Sequence, residues 1–182
     1  SLKLAKANFY KKDFDWTLQQ VKVLKQSPSL LIANDAIEMF LLIQDNSAED
    51  SLRVALQSYA TADLKLYQNK KEEALQLFLT ILQKHKGESI EEGTLYKVGK
   101  IYEEKGDFNK ALTYYQNILD NHKDGIYKDE ALFYSAEIYR KHLLDNEKAK
   151  ALYEKVVLEH PDSLYYTESR KQYRTLRGDS TI

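Results

Sequence analysis

Cysteine is absent from the 182 residues, and glycine and proline are scarce, at six and two. Without cysteine there can be no disulfide, no thiolate nucleophile and no Cys-ligated metal. Eight Gly and Pro in 182 residues is well under the roughly 12% of average composition, which leaves few of the tight turns that an all-β fold needs. Charge of one sign is lacking too: 27 Lys and Arg face 28 Asp and Glu for a net charge of -1, so no global positive field exists to hold a phosphate backbone. The longest run without a charged residue, Ala74 to Gln83, has ten residues, about half of the roughly 20 that a membrane-spanning helix requires. No signal peptide, Gly-rich phosphate loop, serine-nucleophile motif or His-x-x-x-His pair occurs. An initiator Met is missing while a helical pattern starts at Leu2, which reads as a fragment. What is present is 43% hydrophobic residues, enough for a packed core, in a chain that composition already directs toward helix.

Three stretches align with one another: 58–86, 95–123 and 132–161, at a period near 37 residues. Small residues recur at Ala62, Gly99 and Ala136 and again at Ala74, Ala111 and Ala149; aromatics recur at Phe78, Tyr115 and Tyr153, and branched aliphatics at Ile81, Ile118 and Val156. A small residue on each of two helices lets their backbones approach, and the aromatic one turn later fills the wedge beside them. Each copy therefore predicts an antiparallel helical hairpin. In the middle copy Gly106 supplies a left-handed residue after a first helix from about Ile90 to Lys105, and Asp107 caps the second; Asn69 takes the turn role in the first copy. The spacing between the small positions is 12, 12 and 13, so the third copy carries one extra residue within His142–Asn146, where a turn is expected. Hairpins of this kind cannot bury both faces alone, so they stack.

The pattern Leu95-x2-Val98-Gly99-x2-Tyr102 followed by Ala111-x3-Tyr115, and its third-copy counterpart Leu132-x2-Ser135-Ala136-x2-Tyr139, Ala149-x3-Tyr153 and closing Pro161, resembles the tetratricopeptide repeat (TPR). Copy one departs from it at Lys65, and Lys86 and Lys123 stand where a closing proline is usual. The resemblance implies an all-α, TPR-like superhelical solenoid of about ten helices. Residues 1–47 would form a degenerate hairpin (Leu2–Lys11 and Phe14–Gln26, with Thr17 in the place of Ala111) plus an extra helix over Ile32–Gln44. Residues 48–87, 88–125 and 126–161 would be three repeats, the first opened by a long helix from about Ala48 to Gln68 with Asn46 and Glu49 at its cap. Residues 162–182 would be a capping helix and tail. The wording of 159–179, EHPDSLYYTESRKQYRTLRGD, is similar to TPR proteins of bacterial cell envelopes, including the outer-membrane assembly lipoprotein family, and leans toward the periplasm or the outer membrane.

Catalysis has little to work with. His85, His122 and His160 are repeat equivalents at the ends of second helices and His142 ends a first helix, positions where a ring donor meets unsatisfied carbonyls. Equivalent positions on stacked helices stand about 8–10 Å apart, too far to share a zinc ion. Adjacent glutamates such as Glu72-Glu73, Glu91-Glu92 and Glu103-Glu104 point about 100° apart on a helix. No catalytic residue, metal ligand or cofactor is expected.

Binding is the better reading. In TPR proteins the first helices line the concave surface, so the resemblance implies a groove from 57–68, 93–104 and 130–141. Tyr59, Tyr96 and Phe133 fall there in register, followed by Asp63, Lys100 and Glu137 and then by Tyr67, Glu104 and Lys141. These nine residues form the candidate site for a peptide or protein partner, with an aromatic ladder flanked by mixed charges. The same register would also arise if the rings simply packed between hairpins. For a carboxylate clamp of the chaperone-binding TPR type only Lys100 suits, with Asp63 and Glu137 as its repeat neighbours. Two other partners follow from other features: a second copy or upstream repeats of a longer TPR array, through stacking of the terminal hairpins, or RNA, through Arg170, Lys171, Arg174 and Arg177 on the last helix.

Overall fold

The computed structural model describes residues 1–48, 50 and 52–179. Among them are ten α-helices and no strand: α1 Leu2–Tyr10, α2 Phe14–Leu24, α3 Leu30–Asp45, α4 Val54–Tyr67, α5 Lys71–Lys84, α6 Ile90–Glu104, α7 Phe108–Asn121, α8 Lys128–Ile138, α9 Asn146–Glu159 and α10 Tyr166–Arg177. The fold is all-α, built of TPR-type helical hairpins. The chain divides into two compact units, unit 1 (Ser1–Val98) and unit 2 (Gly99–Ile182), and the division falls within α6.

Each of the four hairpin turns is made the same way. One residue adopts a left-handed conformation, at Lys12, Asn69, Gly106 and Leu144 with φ of 66°, 60°, 80° and 55°, and the next residue is the N-cap of the second helix. Asp13, Asp107 and Asp145 accept from the backbone N–H three residues on, satisfying a donor that the helix start leaves orphaned. The backbone N–H of Asp13, Lys70 and Asp107 reaches back five residues, to the carbonyls of Asn8, Lys65 and Tyr102. Asp145 reaches back six, to Tyr139, the repeat equivalent of Tyr102. The spacing predicts that the extra residue of the third copy is spent in the turn, and the structure corrects this. The residue is taken up inside the helix as a π segment, Tyr139–Leu143, the usual form of a one-residue insertion that leaves the flanking helix in register.

In unit 1 the hairpins α1–α2 and α4–α5 pack internally, α3 lies on α2 and α1 touches α4. Ala5, Val21 and Ala36 meet at the centre of α1–α3, with Leu24, Met39 and Phe40 around them. Thr17 is fully buried and returns its hydroxyl to the Asp13 carbonyl at 2.8 Å, which lets a polar residue stand where later copies have alanine. The long helix expected from about Ala48 begins only at Val54. Arg53 is left-handed, and the Asp50 carboxylate accepts from the N–H of Leu52 (2.9 Å) and Val54 (2.7 Å), so Asp50 organises the start; Glu49 lies outside the described residues.

In unit 2, α7 packs on α8, α8 on α9 and α9 on α10. The core joins Leu132, Phe133 and Ala136 to Ala149, Tyr153 and Val156, with Tyr165, Tyr173 and Leu176 against it. All five alanines of the small-residue pattern are fully buried. At Gly99 a Cβ would stand 2.5 Å from the Tyr115 ring, so only glycine lets that aromatic lie against the helix backbone.

Candidate partner-binding surfaces

Asp63 follows Tyr59 by one turn of α4 and Tyr67 follows Asp63 by another, so the three share one face. Tyr59 is only 2% exposed, packed edge-on against Phe78 (5.4 Å) and Phe9 (6.4 Å). Asp63 accepts from the Tyr10 hydroxyl at 3.2 Å and pairs with Lys97 at 3.1 Å. Burial, followed by the Asp63 carboxylate, raises the Tyr10 pKa and keeps the donor protonated. Burial works against the Lys97 ammonium, but Tyr59 and Asp63 outweigh it and its pKa stands above the ordinary lysine value. Tyr67 is 65% exposed and lies beside Tyr10 at 5.7 Å; Tyr96 is half-buried.

Unit 2 holds a groove of about 580 Å³. Phe133, Tyr134 and Phe108 give it aromatic walls, Glu103, Glu104 and Glu168 line it with carboxylates, and the π segment contributes Arg140, Lys141 and His142. Glu104, Phe133, Glu137 and Lys141 of the sequence-derived set are thus brought into one cavity. Phe133 is 9% exposed, stacked on Tyr165 at 4.6 Å and 20°. Glu137 accepts from the Tyr153 hydroxyl at 2.6 Å and pairs with Lys141 (2.5 Å) and Arg140 (3.2 Å). Burial alone would raise the Glu137 pKa; Lys141, Tyr153 and Arg140 outweigh it and hold the carboxyl below its usual range. Lys100, beside the groove, pairs with Glu103 at 2.8 Å and sits 3.5 Å from the centre of the Tyr134 ring.

These positions correct the ladder reading: Tyr59 and Phe133 are buried among rings of their own unit and offer a partner almost no surface. The accessible members of the set are Tyr67, Glu104 and Lys141. Lys97, Tyr134, Arg140 and the Tyr153 hydroxyl escaped sequence reasoning. Lys97 and Tyr134 stand 37 residues apart in register, and following that column would have found them. His142 is no cap either: it stacks on Phe108 at 3.9 Å and 13°, while His85, His122 and His160 do terminate α5, α7 and α9. On α10, Arg174 and Arg177 both pair with Asp179, which offsets much of that helix's positive face. Among the described residues no group of three or more His, Asp or Glu is placed to hold a metal, and no helix is long and apolar enough to cross a membrane.

Residues 94–125 and 130–163 match the family model of the tetratricopeptide repeat. The match makes those two stretches similar to tetratricopeptide repeats. No curated protein matches the chain. TPR repeats generally mediate protein–protein interaction and are typically scaffolds rather than catalysts, and the two matched repeats frame the groove that α6, α8 and the π segment line.

Proposed function

We propose that this TPR protein is a non-catalytic scaffold that binds a peptide or protein segment, and that the groove of unit 2 is where the segment lies. The observation that carries the reading is the lining itself: half-buried aromatic walls at Phe108 and Tyr134 beside exposed charges of both signs at Glu104 and Lys141. Such a surface can bury an apolar side chain and fix its register through flanking charges. The walls are held by packing and by the Tyr153–Glu137–Arg140 bonds, so ordering on binding falls mainly on the ligand. Binders selected from a random peptide library, titrated against Glu104→Lys/Lys141→Glu, test it. Affinity should fall about tenfold or more for the double variant; unchanged affinity places the site elsewhere. The wording of 159–179 supports setting this scaffold in a bacterial cell-envelope assembly, and fractionation of native cells, with the protein leaving the envelope pool, would remove that setting.

A further inference from the structure

The first three helices expose an unusual amount of apolar surface and separate their charges. Leu4 is 54% exposed, Trp16 55%, Val23 74%, Leu30 73%, Leu31 60% and Ile37 41%. Antiparallel pairing of α1 and α2 puts Leu4 near Val23, and α3 starts from that same end with Leu30 and Leu31. Residues 1–28 carry six lysines against two aspartates, a net charge of +4 in a chain of net -1. Residues 29–48 carry Asp35, Glu38 and Asp45 and no cation. On α3 the buried Ala36 and Ile43 face the core, and helical spacing puts Leu30, Ile37 and Asp45 on the opposite side.

An anionic bilayer or a nucleic acid would accept the lysine-rich hairpin but repel the acidic helix beside it, whereas the exposed leucines span both. A second copy matches both at once. We infer that this protein self-associates through α1–α3, the basic apolar hairpin of one copy receiving the acidic apolar α3 of the other. A two-fold arrangement satisfies the pairing twice, since each copy supplies both surfaces. The six exposed side chains amount to on the order of 600 Å² per copy, close to the ~800 Å² per partner of a stable interface. The groove of unit 2 takes no part, so this surface and the peptide site succeed or fail independently.

Sedimentation across a concentration series, with emission from Trp16, the chain's single tryptophan, as the local reporter, tests the inference. Wild-type protein should dimerise with a blue shift of that emission, and added salt should weaken the dimer. Lys3→Glu/Lys22→Glu and Asp35→Lys/Asp45→Lys should each weaken it roughly tenfold, and mixing the two variants should restore it. Val23→Ser, which alters no charge, should weaken it as well. A wild type that stays monomeric, a dimer indifferent to both reversals, or a Trp16 shift that appears only with phosphatidylglycerol vesicles or RNA would each overturn it.

Discussion

In unit 1 Asp63 is held by Tyr10 on α1 and Lys97 on α6; in unit 2 Glu137, 74 residues later in the same register, is held by Arg140 and Lys141 one turn on and by Tyr153 of the adjoining helix. One repeat column thus carries two carboxylates, each accepting from a tyrosine hydroxyl, but the tyrosines come from different places. Unit 2 holds its carboxylate with a single hairpin and the π segment within it. Unit 1 needs three helices that are far apart in sequence. The carboxylate position is a property of the repeat, whereas what holds it is a property of the neighbourhood.

Both units nevertheless bury the ring one turn before that carboxylate, and truncating it gives the largest effect. Tyr59→Ala and Phe133→Ala should each destabilise the chain by about 3–5 kcal/mol, read from denaturant midpoints. A loss below ~1 kcal/mol in either would mean that its ring faces a partner rather than a core, and the likeness between the units would fail there. Gly99→Leu comes next, at about 1–3 kcal/mol, because its side chain must displace a fully buried Tyr115 whose hydroxyl donates to Glu103 at 3.3 Å. Combining it with Tyr115→Ala should recover part of the loss, and strict additivity would rule out the contact.

The small-residue columns, the aromatic that follows them and the Gly106-Asp107 turn were legible in the sequence because all rest on partners a fixed distance away along the chain. The same holds for the existence of α1 to α3. Which way the ladder faces was not legible, since a 37-residue period says that Tyr59 and Phe133 occupy equivalent places and nothing about which side of the helix a neighbouring ring covers. Phe9 closes over Tyr59 from 50 residues upstream and Tyr165 over Phe133 from 32 downstream. Lys97 was hidden for the same reason: its partner Asp63 lies a repeat away. The π segment left a trace in the 13-residue spacing, but placing the extra residue in the helix rather than the turn depends on which carbonyl Asp145 reaches.

Glu137→Gln tests the unit 2 carboxylate directly, with a moderate loss of stability. Its side chain is 11% exposed and faces two cations, so losing the charge should destabilise by about 1–2 kcal/mol at neutral pH. The folded carboxyl titrates below its ordinary value of 4.5. Its contribution is therefore complete above that pH and disappears as the pH falls through the lower folded value. Stability curves of wild type and Glu137→Gln should converge as the pH drops below about 4; a constant gap down to pH 2 would show that the ion pairs do not hold this turn.

The smallest effect separates the two turns of unit 2. Gly106 and Leu144 occupy the same left-handed place, but Leu144 carries a Cβ there and is 77% exposed, so the strain of that conformation, of order 1 kcal/mol, is met by no compensating burial. Leu144→Gly should accordingly raise stability by a few tenths to about 1 kcal/mol, and Gly106→Leu, with nothing within 4 Å of its Cβ position, should lower it by a similar amount. If Leu144→Gly instead destabilises, the leucine side chain has a neighbour, and the π segment is anchored by that side chain rather than by the Asp145 bond to Tyr139. A neutral result combined with lost peptide affinity would show that the turn holds Lys141 and His142 toward the groove at the expense of its own backbone.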